Sequence, residues 1–300
     1  MRISTQTLFE TGAARIGELQ SGLVKTQQQI GTGRRILTPA DDPVAAARAL
    51  EVTQSQSLNI QYGVNRQHAK SSLGAVEGAL SSVTTLLQDV KTSVIAAGNG
   101  SFSDTERGFL ATELRGRFEQ LLGLANSRDA MGNYLFSGFQ TATPAFAETV
   151  PGVVQYQGDQ GQRLVQADAT RQMAVSNPGQ AVFQGGGVDV FETLNDLITL
   201  LNTPGTAGLA AGLATANSDT DLALDNVLTV RASVGSRLQE LDALDNAGED
   251  RNLQYSQILS ELQDLDYAKA LTQLSQQQLT LEAAQQSFVK TSGLSLFNFI

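Results

Sequence analysis

Residues 32–50 read TGRRILTPADDPVAAARAL, and this segment separates two long helical runs. Pro39 and Pro43 cannot lie inside a helix, so the first run is expected to end near residues 31–33. Asp42 followed by Pro43 is typical of an N-cap and a first helical residue, and the alanines that follow continue the new helix. The pattern predicts a helix, a stiff elbow and a second helix.

The elbow carries two neighbouring carboxylates, which also suit the positive end of the new helix. A metal pair or an acid–base couple is the alternative use of Asp41 and Asp42. Capping explains both residues without a ligand, because no histidine or third carboxylate lies nearby in the sequence. For Arg34 and Arg35 two interpretations stay open, namely binding to an acidic groove and local pairing.

The composition excludes several classes of function. The chain of 300 residues contains no cysteine, so disulfides, thiolate metal sites and cysteine nucleophiles are absent. A lone histidine, His68, argues against a catalytic triad or a multi-histidine metal site. The net charge of −10 argues against a nucleic-acid groove. The composition therefore argues against cysteine and multi-histidine chemistry and against a nucleic-acid partner, and it indicates no catalytic residue, no cofactor and no metal site.

The charge is also unevenly distributed. Residues 145–250 hold 4 basic and 14 acidic side chains, whereas residues 1–40 hold 5 basic and 2 acidic ones. The ends are expected to associate and the middle to be solvated. No apolar run approaches the roughly 18 residues that a membrane span needs, and the N-terminal residues lack the pattern of a cleaved secretory signal.

Helical periodicity dominates both halves of the chain. A heptad-like series predicts a long helix whose stripe forms a core within the chain, with contact between subunits as the alternative: Ala69, Leu73, Val76, Leu80, Val83, Leu87, Val90 and Val94. A capping box, Ser103 to Glu106, predicts the start of the next helix. Towards the C-terminus the pattern predicts two helices, roughly 219–245 and 249–290.

The middle has a different character. Glycines and prolines between residues 133 and 184 separate short β-prone segments, and strands are predicted at 153–156, 163–166 and 172–175. Gly185, Gly186 and Gly187 indicate a linker rather than a phosphate loop, because the Lys-Ser/Thr of such a loop is missing. Asn99-Gly100-Ser101 matches the N-glycosylation pattern, but we interpret it as a turn.

These patterns predict a mainly α fold, in which both chain ends form an elongated rod of long helices and a central insert contains the strands. Five segments are expected: a terminal assembly helix at 1–42, the first half of the rod at 43–135, the variable insert at 136–205, the second half of the rod at 206–254, and the C-terminal assembly helix with its tail at 255–300.

Three blocks of this chain resemble the bacterial flagellin family. They are GRRILTPADDPVAAA at 33–47, RASVGSRL at 231–238, and LDYAKALTQL at 265–274 with the ending SLFNFI at 295–300. The two prolines of the first block are similar to the hook–filament junction branch of that family, since flagellins tend to lack both. The resemblance covers about the first 135 and the last 85 residues, and the region 136–205 contains no motif of the family.

The resemblance implies a structural subunit of the extracellular flagellum without a catalytic role. Such a subunit is exported unfolded by the flagellar type III apparatus, without a cleaved signal peptide. The implied partners are copies of itself in a ring, hook-associated protein 1 on the hook side, flagellin or the filament cap on the distal side, and an export chaperone at the C-terminus. The resemblance also implies terminal helices that are disordered in the monomer and pair on assembly.

Three other functions stay as alternatives. A filament subunit would polymerise by itself, and a cytoplasmic coiled-coil adaptor would stay inside the cell. An enzyme would need convergent titratable groups in the insert, where Arg163, Asp159 and Asp168 are scattered.

Apolar stripes mark both ends of the chain. An isolated amphipathic helix cannot bury its apolar face, so packing between subunits is the favoured interpretation and pairing within the chain is the alternative. The apolar C-terminus favours a docking surface for a neighbour or a chaperone over simple packing. The candidate assembly residues are Leu8, Ile16, Leu19, Leu23, Ile30, Leu271, Leu274, Leu281, Phe288, Leu296, Phe297 and Phe299, and the candidate hinge residues are Gly33, Arg34, Pro39, Asp41, Asp42 and Pro43.

Overall fold

The computed structural model describes the backbone of residues 5–293 and the side chains of residue 7 and residues 9–290. Within this part the chain forms seven helices and four short strands. In chain order they are α1 Thr5–Thr32, α2 Pro43–Ala97, α3 Asp104–Ala125, β1 Phe146–Val150, β2 Val153–Tyr156, β3 Leu164–Asp168, β4 Arg171–Ala174, α4 Gly179–Phe183, α5 Val190–Asn202, α6 Leu209–Gln263 and α7 Tyr267–Gly293. The predicted mainly helical fold with a central β-containing insert is confirmed.

The chain divides into two compact units. The terminal unit comprises the residues up to Leu58 and from Asp250 onwards, and the central unit comprises Asn59–Glu249. Both α2 and α6 contribute residues to each unit.

The central unit has its own hydrophobic core. The heptad-like stripe of α2 is buried there, together with Leu114 and Phe118 of α3 and Val227 and Val234 of α6. The prediction that this stripe forms a core within the chain is therefore confirmed. α3 begins as predicted at a capping box, in which Ser103 accepts from the Glu106 N–H and the Glu106 carboxylate accepts from Ser103.

Aromatic rings join the first hairpin of the insert to the helices of the insert. The ring of Phe146 on β1 lies 5.4 Å from that of Phe183 and 5.1 Å from that of Phe191, measured between centroids. Such tilted and edge-on contacts add to the free energy gained by burying the rings. The first hairpin therefore packs against α4 and α5, and all three lie in the central unit.

The strands form two separate antiparallel hairpins, β1 with β2 and β3 with β4. Side chains of α2 bind the backbone of the second hairpin: Arg66 Nη1 donates to the Ala167 carbonyl at 3.0 Å, and Asn65 Nδ2 donates to the Gln166 carbonyl at 2.9 Å. At the hairpin turn Arg171 makes a two-pronged ion pair with Glu240 of α6, at 2.5 and 2.8 Å. The hairpin is thus positioned by polar contacts with both long helices.

The predicted division of the C-terminal helices near residue 246 is wrong. α6 continues through Gly248 to Gln263. Gly248 serves packing instead of ending a helix, because a Cβ atom at this position would lie 2.4 Å from Nη2 of the buried Arg66. The helix is interrupted only at 264–266, and α7 begins at Tyr267.

Two further elements differ from the sequence predictions. β1 is not among the predicted strands, and it is a strand because it pairs with β2 in the register Phe146–Tyr156. α6 begins at Leu209, earlier than the predicted helix at roughly 219–245.

Candidate assembly surface

The elbow has the predicted cap. α1 ends at Thr32 and α2 begins at Pro43. The Asp42 side chain accepts a hydrogen bond from the Ala45 N–H at 3.0 Å, and its carbonyl accepts from the Ala46 N–H at 2.9 Å. The hydrogen bond from Ala45, supported by Arg35, lowers the pKa of Asp42. The carboxylate therefore stays charged at the positive end of α2.

Asp41 does not cap the helix, contrary to the prediction. Its carboxylate forms an ion pair with Lys25 of α1 at 2.5 Å and accepts hydrogen bonds from the N–H groups of Leu37 and Thr38, at 3.0 and 2.8 Å. The hydrogen bonds from Lys25 and Thr38 lower the pKa of Asp41 to about 2. Asp41 thus ties the turn of the elbow to the preceding helix.

The elbow lies against the break between α6 and α7. The Arg35 N–H donates to the Gln263 carbonyl at 2.7 Å, and the Leu265 N–H donates to the Gly33 carbonyl at 2.9 Å, on either side of an isolated bridge between Arg34 and Asp264. Two interruptions far apart in the sequence thereby satisfy each other's backbone groups. Arg35 also forms an ion pair with Asp42 at 3.2 Å. Of the two interpretations left open for this arginine, local pairing is therefore the one that the structure supports.

α1 and α7 pack together as an antiparallel pair. The ring centroids of Phe9 and Phe288 lie 5.0 Å apart at one end, and Gly33 contacts Tyr267 at the other. The residues on the contact stripes are buried or half-buried and alternate in steps of three and four, the spacing of a coiled coil: Gly12, Ile16, Leu19, Leu23, Thr26 and Ile30 on α1, and Ala270, Leu274, Gln277, Leu281, Ala284 and Phe288 on α7. We call these residues the seam.

Two glycines allow the close approach at the ends of this pair. A Cβ atom at Gly12 would lie 2.6 Å from the Phe288 ring. Gly33 has a φ of +70°, and a Cβ atom there would lie 2.9 Å from the Tyr267 hydroxyl. A left-handed backbone conformation and a tight contact together explain why glycine ends α1.

A second apolar face of α7 is not covered by α1. Tyr267, Leu271, Leu279 and Val289 are all exposed, with 53 % of Leu271 and 70 % of Leu279 accessible to solvent. Leu271 and Val289 are eighteen residues apart, about five turns of an α-helix, and therefore point in the same direction. We call this group of four residues the outer face.

The predicted assembly residues separate into three groups. Ile16, Leu19, Leu23 and Ile30, together with Leu274, Leu281 and Phe288, lie on the seam. Leu271 lies on the outer face. The side chain of Leu8 and all of Leu296, Phe297 and Phe299 lie outside the described residues.

Sequence reasoning missed several residues of this surface. Lys25 forms the ion pair with Asp41 that holds the elbow. The Asp266 side chain accepts a hydrogen bond from the Lys269 N–H at 3.1 Å and so caps α7. Leu279 and Val289 belong to the outer face. Their spacing from Leu271 is a readable signal, although one helical stripe had already been assigned to α7.

The described residues provide no group of three or more His, Cys, Asp or Glu side chains placed to hold a metal ion. Nor does any helix among them combine the length and apolarity that a membrane span requires.

Paired helical chain ends with a β-containing insert between them are the architecture of the flagellin class. Residues 3–141 match the model for the bacterial flagellin N-terminal helical region. A structure described as a putative flagellar hook-associated protein from Vibrio parahaemolyticus is similar at a TM-score of 0.70 with 27 % identity, over 75 % of this chain and 100 % of that one.

Relatives that align with nearly the whole chain show which family of this class it belongs to. Flagellar hook-associated protein 3 of Escherichia coli K12 is 35 % identical over 316 residues, which covers 99 % of both chains. Flagellin of Bacillus subtilis 168 is 25 % identical, over 95 % of this chain and 94 % of that one. The chain belongs to the flagellar hook-associated protein 3 family.

Proposed function

We propose that this chain is the structural adaptor between hook and filament, and that its paired terminal helices pack against those of neighbouring subunits. The observation that carries the proposal is the outer face of α7, on which Leu271 and Leu279 stay exposed although α1 already covers the seam. An apolar face of this length on a helix pair is a contact surface rather than a solvated one.

Assembly gives these helices the burial that a single chain lacks. Complete burial of one leucine side chain contributes about 1.5–3 kcal/mol, so covering Leu271, Leu279 and Val289 contributes several kcal/mol per subunit. This gain offsets the entropy lost when the ends become ordered. Folding of the ends and assembly are therefore coupled.

A subunit that lies between hook and filament contacts other proteins on both sides. Copies of this chain form a ring, hook-associated protein 1 lies on the hook side, and flagellin or the filament cap lies on the distal side. An export chaperone binds the C-terminus inside the cell, and the chain leaves without a cleaved signal and works outside as a structural protein rather than an enzyme. The absence of cysteine suits threading through an export channel, since a disulfide would obstruct it.

Truncation of either end tests this mechanism. We expect deletion of residues 1–30 or 285–300 to leave the central unit folded, because its core is formed by its own residues, and to abolish incorporation. Hydrogen exchange of the central unit and electron microscopy of the cells measure the two effects. Protein found in the culture medium identifies variants that are exported but not assembled. A truncated chain that still supports filament growth would contradict the proposed mechanism.

The second candidate function is that of a filament subunit. The similarity to flagellin supports it, although this similarity is weaker than that to flagellar hook-associated protein 3. Copy number separates the two candidates, since a filament subunit polymerises by itself into long fibres. We expect the purified chain not to do so, because the two prolines of the elbow match the junction branch of the family rather than flagellin.

A further inference from the structure

We infer that Asn99 is a site of spontaneous deamidation in the folded protein. Asn99 and Gly100 lie in the exposed turn between α2 and α3, at the end of the helical segment that Ala97 closes. The inference concerns the central unit and does not depend on the proposed function.

The turn places two donors on the amide oxygen of Asn99. The Ser101 hydroxyl donates to Oδ1 at 2.8 Å, and the Ser101 N–H donates to the same atom at 3.2 Å. Donors aimed at a carbonyl oxygen stabilise the negative charge that develops there when a nucleophile attacks the carbon. The amide carbon Cγ of Asn99 is therefore activated.

The nucleophile is the backbone nitrogen of Gly100. Among the described residues, nothing accepts a hydrogen bond from this N–H, so no contact has to break before it loses its proton. Apart from its chain neighbours Asn99 and Ser101, no residue places an atom within 4 Å of the point where a Cβ would stand, and glycine itself offers no side chain to hinder the approach. The backbone around the dipeptide is held by hydrogen bonds from Asn99 N–H to Ala96 and from Phe102 N–H to Asn99, at 3.0 and 3.1 Å.

The reaction involves no oxidation. Hydroxide removes the Gly100 N–H proton, and the nitrogen attacks Cγ of Asn99 and forms the new C–N bond. The bond from Cγ to Nδ2 breaks, and the leaving nitrogen takes a proton from water and departs as ammonia. Water then opens the five-membered imide at one of its two carbonyls, which gives aspartate or isoaspartate at position 99.

The product has a consequence for the surroundings. Asn99 and Gly100 line a cavity of about 350 Å³ that Arg107 also lines. Arg107 is buried, and its guanidinium donates to the carbonyls of Phe102 and Gly205 at 2.9 and 3.1 Å. Deamidation adds a carboxylate to the wall of this cavity, where the guanidinium of Arg107 is already paired with Asp104. The protein thus acquires one negative charge at this end of the central unit as it ages.

Peptide mapping of the full-length chain after incubation at mildly alkaline pH tests the inference. We expect the peptide containing Asn99 to gain the mass of deamidation, with aspartate and isoaspartate both present. Asn126 is the internal control, because its side chain is held by the Phe146 N–H and carbonyl at 2.9 and 2.8 Å and should stay unchanged. No conversion at Asn99 in the folded chain, while the urea-unfolded chain converts, would overturn the inference, as would equal conversion of Asn126.

Two variants test the chemistry. Gly100→Ala should abolish conversion over the same period without loss of structure, since the added methyl group enters open space. Ser101→Ala should slow conversion about fivefold, the rate equivalent of one neutral hydrogen bond to the reacting oxygen. Unchanged rates in both variants would contradict the proposed roles of Gly100 and Ser101.

Discussion

Replacing Arg66 with methionine is expected to destabilise the central unit by about 3 kcal/mol, the lower end of the range for one partner removed from a buried ion pair. Arg66 is 3 % exposed, pairs with Asp245 and donates to the Ala167 carbonyl of the second hairpin. Its loss leaves that carbonyl without its charged donor. The effect stays at the lower end because Lys70 still pairs with Asp245, at 2.5 Å.

Arg171→Met is the matched control. Arg171 binds the same hairpin to α6, but its side chain and that of Glu240 are 51 % and 37 % exposed. An exposed pair contributes about 0–1 kcal/mol. Urea unfolding followed by hydrogen exchange in β3 and β4 measures both variants. Equal losses in the two variants would show that burial of Arg66 is not what fixes the hairpin.

The second large effect is expected from the double variant Leu271→Glu with Leu279→Glu. Both side chains are exposed, so the monomer should fold with unchanged stability. In the ring that we propose, the same positions become buried, and burying an unpaired carboxylate costs several kcal/mol. We expect incorporation into flagella to be lost, and the protein to accumulate in the medium.

Gln273→Glu with Thr280→Glu adds the same charge to the same helix, at exposed positions that are neither three nor four residues from any member of the outer face. This control should assemble normally. Fractionation of sheared flagella and medium, with circular dichroism of each purified variant, gives the comparison. Normal incorporation of the outer-face variant would refute the role of this face, and failure of both variants would show that added charge alone is responsible.

Local chemistry explains what the sequence could predict. Proline geometry and the preference of aspartate for an N-cap are properties of a few adjacent residues, so the end of α1 and the start of α2 were predictable. The role of Asp41 was not, because its partner Lys25 lies on another helix. The choice between capping and pairing depends on tertiary contact.

Tertiary contact is also the reason why the break in the C-terminal helices was predicted at the wrong place. Gly248 resembles a helix end, but it makes room for Arg66, which is distant in sequence. The real interruption at 264–266 contains neither glycine nor proline. It is stabilised by two backbone hydrogen bonds, one from the Leu265 N–H to the Gly33 carbonyl and one from the Arg35 N–H to the Gln263 carbonyl. β1 was missed for a similar reason, since its extended conformation depends on pairing with β2.

For the assembly surface, periodicity identified the seam but not the outer face. A stripe with steps of three and four identifies residues that share a side of a helix, and it does not distinguish burial within a chain from burial between chains. In the structure Leu274 lies on the seam within the chain, whereas Leu271 is exposed.

The position of the protein on the flagellum tests the central claim most directly. Because the chain has no cysteine, Met131→Cys introduces a single thiol, and Met131 is 82 % exposed in the central unit. A gold-linked maleimide then labels the protein on intact flagella for electron microscopy. We predict one narrow band of gold between the hook and the filament. Gold along the whole filament, or none outside the cell, would contradict the account.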